Sequence, residues 1–148
     1  AGDNDSPNVV REGASAVIDG RYLPGVSQEE FLSQIQEALG EDFELEPFRG
    51  LPPVEFPDQS ELLDTIESVV KGREGSAKMV RFLMQGFTDA AHYARADITT
   101  YGFAPVILKE NEPFADLYHS PNERISVEGF GEGLSWLHDV VTNFCGSP

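Results

Sequence analysis

A chain of 148 residues, 40% hydrophobic and 24% charged, can bury one ordinary core or two modest ones, and its composition excludes a disordered polymer. Its 26 acidic residues against 10 basic give a formal net charge of -16, which repels phosphate backbones and anionic lipid, so neither nucleic acid nor a membrane surface is an expected partner. The single cysteine, Cys145, allows no internal disulfide, and no apolar run approaches the roughly 18 residues of a membrane span.

The polar start, residues 1–8, lacks a signal-peptide core, and a cytoplasmic location is expected. A strand-like pattern follows so soon that the chain reads as cut from something longer. Ala16, Ile18 and Tyr22 alternate with Val17, Asp19 and Arg21, the period of a half-buried strand. Leu23-Pro24-Gly25 supplies a turn, and Ser27 to Glu30 form a capping box that opens a helix through Phe31, Ile35 and Leu39 to Gly40. Phe43 and Leu45 alternate with Glu44 and Glu46 as a second strand. Strand, helix and strand make about half of a ferredoxin-like α+β unit.

The segment 48–57, with Gly50, Pro52, Pro53 and Pro57, is a stiff connector and marks a boundary between residues 1–50 and 51–148. Beyond it, a capping box at Asp58 to Glu61 opens a helix whose buried side is Leu62, Leu63, Ile66, Val69 and Val70. Residues 79–84 are nearly all apolar, and 98–107 are rich in β-branched and aromatic types. Short apolar strands between helices predict a mainly parallel sheet, so the expected fold class is α/β. The last helix, residues 127–144, places Phe130, Leu134, Leu137, Val141 and Phe144 at alternating steps of four and three, an amphipathic docking face.

Three clusters carry chemistry. His119 lies in the polar loop Tyr118-His119-Ser120-Pro121-Asn122-Glu123-Arg124-Ile125, where an imidazole is free to bind a metal or simply to be solvated. Gln85-Gly86-Phe87-Thr88-Asp89 follows an apolar segment and opens a helix. It offers amides and a hydroxyl to an anion, or else Thr88 and Asp89 serve only as caps. Asn8-Val9-Val10, followed by Asp19-Gly20-Arg21, ends in an arginine able to clamp a carboxylate with paired hydrogen bonds, or to stay in solvent.

Taken in order, the three segments resemble a di-zinc family that includes acetylornithine deacetylases, succinyl-diaminopimelate desuccinylases, aminoacylases and glutamate carboxypeptidases. Asn-Val-Val, then the strand ending Asp-Gly-Arg and Leu-Pro-Gly, resembles the lid-domain strand. Gly-Phe-Thr-Asp resembles a Gly-Gly-Thr-Asp turn, with Phe87 at the second glycine and Ala90-Ala91 where a basic residue often follows. His-Ser-Pro-Asn-Glu-Arg-Ile resembles the loop of the last metal ligand.

The resemblance implies that residues 1–50 are the second half of a ferredoxin-like lid used for dimerisation. Residues 51–148 would be the C-terminal part of a parallel-sheet zinc-peptidase domain. It further implies that His119 binds one of two zinc ions, that Asn8, Arg21 and Thr88 bind substrate, and that Asn122 and Glu123 shape the ligand loop. The substrate is then a small N-acyl amino acid or peptide with a free carboxylate, and the lid makes a homodimer. The family's His-x-Asp pair, bridging aspartate and catalytic Glu-Glu pair have no counterpart here, since Glu29-Glu30 belongs to a helix cap. The expectation is a metal-free, inactive C-terminal fragment of a hydrolase. The alternatives are a non-catalytic dimerisation or interaction module, and an acidic metal buffer, against which stands the lack of any calcium-loop spacing.

Overall fold

The three longest helices of this chain each start at a serine. In the computed structural model, which describes residues 13–108 and 113–146, five helices form: α1 (Gln28–Leu39), α2 (Glu61–Arg73), α3 (Ala90–Ala94), α4 (Phe114–Leu117) and α5 (Val127–Cys145). Ser27, Ser60 and Ser126 each accept the amide three residues on, from Glu30, Leu63 and Gly129, satisfying a donor that has no partner inside the helix. The cap of α2 is therefore Ser60, two residues inside the predicted box. The chain divides into two compact units, Ala1–Pro53 and Val54–Pro148.

In the first unit, the Val26 amide donates to the Leu23 carbonyl at 3.2 Å, with Pro24 and then Gly25 at φ 92°. That is the pattern of a type II turn, whose third residue needs positive φ. Gly40 ends α1 at φ 83°, and the Gln36 side-chain amide donates to the Gly40 and Phe43 carbonyls at 2.7 and 3.0 Å. Ahead of the helix, Tyr22 stacks on Phe31 with ring centroids 4.8 Å apart. Gly20 lies against the same ring, where a Cβ would come within 2.8 Å.

The second unit is held by α2 against α5. Ile66, Val69 and Val140 form its core, with Leu62, Val70 and Phe103 packed around them. Arg73 ties the rim: its Nε donates to Asp139 at 2.9 Å, and its Nη2 donates to the Ser135 hydroxyl at 2.8 Å and to Asp139 as well. The guanidinium's hydrogen bond, followed by burial acting the other way, leaves the Asp139 carboxyl below its ordinary range.

Two expectations are corrected here. The α/β class, with its ferredoxin-like lid and parallel sheet, does not appear: among the described residues there is no strand. Residues 16–22, 43–46, 79–84 and 98–107 are non-helical and form no strand ladder among the described residues. A β-pattern specifies which face a side chain takes, whereas a strand exists only through hydrogen bonds to a neighbour. Without one, Val17, Val80 and Phe82 stand 80%, 77% and 77% exposed.

The buried face of α5 is also not the expected one. Phe130, Leu134, Leu137, Val141 and Phe144 are exposed or half-exposed, and Gly129, Gly133, Trp136 and Val140 are buried. Each buried position precedes a predicted one. The reason lies in residues 105–107, whose backbone runs so close to α5 that only glycine fits. A Cβ on Gly133 would collide with the Pro105 carbonyl oxygen, and one on Gly129 with that of Ile107, whose amide donates to the Gly129 carbonyl at 3.3 Å. Gly133→Ala should therefore destabilise the unit by about 1–3 kcal/mol through overpacking against backbone, despite alanine's better helix propensity. Gly131→Ala, with nothing near its Cβ position, should not. Thermal melts of the two variants check this, and equal melting temperatures would refute it.

Candidate functional site

The loop that carries His119 is built from two successive turns. The Ser120 amide donates to the Leu117 carbonyl at 3.1 Å, and the Ser120 hydroxyl donates to the same oxygen at 2.8 Å. Tyr118 takes φ -57° and ψ 128°, and His119 takes φ 56°. These are the first and second central positions of a type II turn, and the second favours glycine or asparagine. A β-carbon in the left-handed region costs about 1–2 kcal/mol, so the surroundings must hold His119 there. Next, the Glu123 amide donates to the Ser120 carbonyl at 3.1 Å, with Pro121 at the position where its fixed φ suits a turn. The Glu123 carboxylate returns along the loop and accepts the His119 backbone amide at 3.3 Å. Arg124 donates to the Asn122 carbonyl at 3.1 Å.

The loop is anchored on its first side by Leu117, which is buried, and it leaves His119 exposed. Beside it opens a cleft of about 330 Å³ lined by Val106, Leu117, Tyr118, Glu123, Arg124 and Ile125. The size suits a small ligand, and half of the lining side chains are aliphatic.

Thr88 is exposed, and its hydroxyl oxygen accepts the Ala90 amide at 3.3 Å at the start of α3. Asp89 makes no side-chain cap bond. Of the two readings of this turn, the cap is the one visible, and a five-residue helix offers little dipole to an anion. Thr88 does not line the cleft beside the His119 loop.

In the first unit, Arg21 donates from Nε and Nη2 to one Asp19 carboxylate oxygen, at 3.1 and 2.7 Å. That bond and the accompanying charge hold the Asp19 carboxyl below its ordinary range and raise Arg21 above its own. Asp19 and Arg21 pair on one side of the segment while Gly20 and Tyr22 meet Phe31 on the other, so the alternation survives without a sheet. Asn8 lies outside the described residues.

Among the described residues, no group of three or more His, Cys, Asp or Glu comes together as a metal site. His119 is one isolated imidazole, and a tetrahedral zinc needs about four ligands. These residues by themselves do not fit the ion. His138, on α5, is 76% exposed, with Nδ1 3.7 Å from Asp139. Nor, among the described residues, is any helix long and apolar enough to cross a membrane.

Sequence reading missed the Glu123 bond to the His119 amide, and only the four-residue spacing hinted at contact. It also missed the glycines of α5, for which the Gly129-x-Gly131-x-Gly133 spacing was the available signal.

Comparison with known proteins gives a consistent assignment. The chain is 26% identical over 139 residues to the N-fatty-acyl-amino acid synthase/hydrolase PM20D1 of Xenopus tropicalis, covering 92% of this chain and 27% of that protein. The chain thus spans about a quarter of the length of its curated relative. No solved structure matches it. The profile of peptidase family M20/M25/M40 aligns with residues 3–143. Because that alignment covers residues 3–143, and with them the Asp19–Arg21 segment, the Thr88 turn and the His119 loop, the chain belongs to peptidase family M20/M25/M40.

Proposed function

We propose that the full-length protein hydrolyses the amide bond of N-acyl amino acids or short peptides ending in a free carboxylate, and does so with zinc. The observation that carries this reading is the family match over residues 3–143. The name of the PM20D1 relative puts N-fatty-acyl-amino acids in the same substrate class. In this reading His119 contributes one metal ligand, and Arg21 grips the substrate carboxylate. Asn8 and Thr88 line the substrate site. Residues 1–50 serve as lid and as the contact of a homodimer, and residues 51–148 form the C-terminal part of the catalytic domain. The remaining ligands and the base come from polypeptide outside these residues, so the 148-residue chain is inactive alone.

The test is hydrolysis of a panel of N-acetyl and N-fatty-acyl amino acids and dipeptides by the full-length protein, before and after chelation. Turnover that disappears with the metal and returns on adding zinc supports the reading. Full turnover after metal removal refutes the zinc requirement. Absence of turnover on the whole panel, with a folded and metal-replete protein, refutes the enzyme reading in favour of a non-catalytic dimerisation module.

A further inference from the structure

We propose that the apolar stripe of α5 is a docking face, covered in the full-length protein by polypeptide that lies outside these 148 residues. Phe130, Leu134, Leu137, Val141 and Phe144 follow one another at steps of four and three, so they form one line along the helix. At 1.5 Å per residue that line is roughly 21 Å long. Phe130, Leu134 and Val141 are 55%, 55% and 53% exposed, and Leu137 and Phe144 are exposed as well. Yet α5 is already packed on another side, where Gly129, Gly133, Trp136 and Val140 are buried. At 3.6 residues per turn the buried line lies about a quarter turn from the exposed one. Together the two lines take up nearly half of the helix circumference, more than the roughly 100° stripe that serves one packed face. The helix is built for two partners, and the second unit supplies one of them.

Length and charge choose the occupant. Among the described residues no large side chain is fully enclosed, and the core cluster of the unit is Ile66, Val69 and Val140. A core so small leaves apolar surface that further chain can bury. The relative of which this chain covers 27% shows how much further polypeptide a full-length protein of this family brings. A second copy is the poorer candidate, because each chain carries a formal net charge of -16 and two copies repel one another. The five stripe residues are all uncharged, and a charge buried against them would lose its hydration without gaining a partner. The covering surface is therefore apolar along a similar length. Singly scattered apolar residues need no such cover, whereas five large ones in an unbroken line mark an interaction face.

Single cysteines placed in the full-length protein test this, with other thiols replaced, the exposed Cys145 by serine. Leu134→Cys and Val141→Cys report on the stripe, and Glu132→Cys, on the opposite and exposed side of α5, reports on open solvent. Maleimide labelling of the native protein is expected to be at least about tenfold slower at positions 134 and 141 than at 132. All three should label at similar rates once the protein is unfolded, and the protection should not change on dilution. Leu134→Asp should lower the melting temperature by several degrees and leave the oligomeric state, read by analytical ultracentrifugation, as it is in wild type. If Leu134→Asp does not fold, the cysteine variants still decide. Labelling as fast at 134 and 141 as at 132 would show an open surface and overturn the proposal. Protection that fades on dilution, or an oligomer split by Leu134→Asp, would give the face to a second copy and overturn it as well.

Discussion

His119→Ala in the full-length protein is expected to remove one zinc ion per protomer and nearly all turnover. The magnitude follows from comparison with indirect partners. Residues that merely orient a metal ligand cost ten- to a hundredfold when removed, so losing the ligand itself should cost more than about a hundredfold in kcat. The backbone at this position supplies an unusual control. Because His119 sits at φ 56°, alanine there keeps the left-handed strain, whereas glycine relieves it. His119→Gly should be at least as stable as wild type, by up to about 1–2 kcal/mol, yet equally poor in zinc and activity. Loss of function with no loss of stability is the pattern of a site residue held against its own preference. His138→Ala, on the exposed side of α5, should leave zinc content and turnover close to wild type. Metal analysis, melting curves and steady-state rates on the three variants decide the matter. A His119→Ala protein that keeps both its zinc and its rate removes His119 from the site.

Arg21→Lys is expected to lower kcat/KM on substrates with a free carboxylate by on the order of ten- to a hundredfold, the loss of a charge-assisted hydrogen bond in a closed cleft. Lysine keeps the charge, but an ammonium cannot present the planar fork that meets two carboxylate oxygens at once. In the structure Arg21 Nε and Nη2 both donate to a single Asp19 carboxylate oxygen, so the fork is directed at a carboxylate without spanning its two oxygens. A substrate carboxylate must share or displace that pairing. Asn8→Ala is expected to weaken the same substrates less severely. The decisive comparison uses a substrate whose carboxylate is replaced by a carboxamide. Wild type should lose activity on it, and the Arg21→Lys protein should barely distinguish the two. Equal discrimination by both proteins would return Arg21 to an ordinary solvated ion pair with Asp19.

Local chemistry in this chain was legible from residue order. The Leu23-Pro24-Gly25 turn, the Ser27 cap with its Gly40 stop, and the Leu63, Ile66 and Val69 face of α2 each depend on residues within one or two turns of each other. The hydroxyl that satisfies a helix amide lies three residues from it, so sequence alone states both partners. Family membership was legible for a related reason: three short motifs in a set order are themselves a property of residue order.

Pairing and close approach belonged to the tertiary structure. Alternation at 16–22 sorts Asp19 and Arg21 from Gly20 and Tyr22, but it cannot say whether a neighbouring strand exists, and none does among the described residues. On α5 the apolar stripe of Phe130, Leu134, Leu137, Val141 and Phe144 outweighs Gly129 and Gly133 on any hydropathy count. Even so, the glycine side is buried, because what packs there is the backbone of residues 105–107, which needs space and not hydrophobicity. The His119 conformation is of the same kind. Spacing places a carboxylate four residues away, and only the fold turns Glu123 onto the amide that a left-handed histidine leaves open.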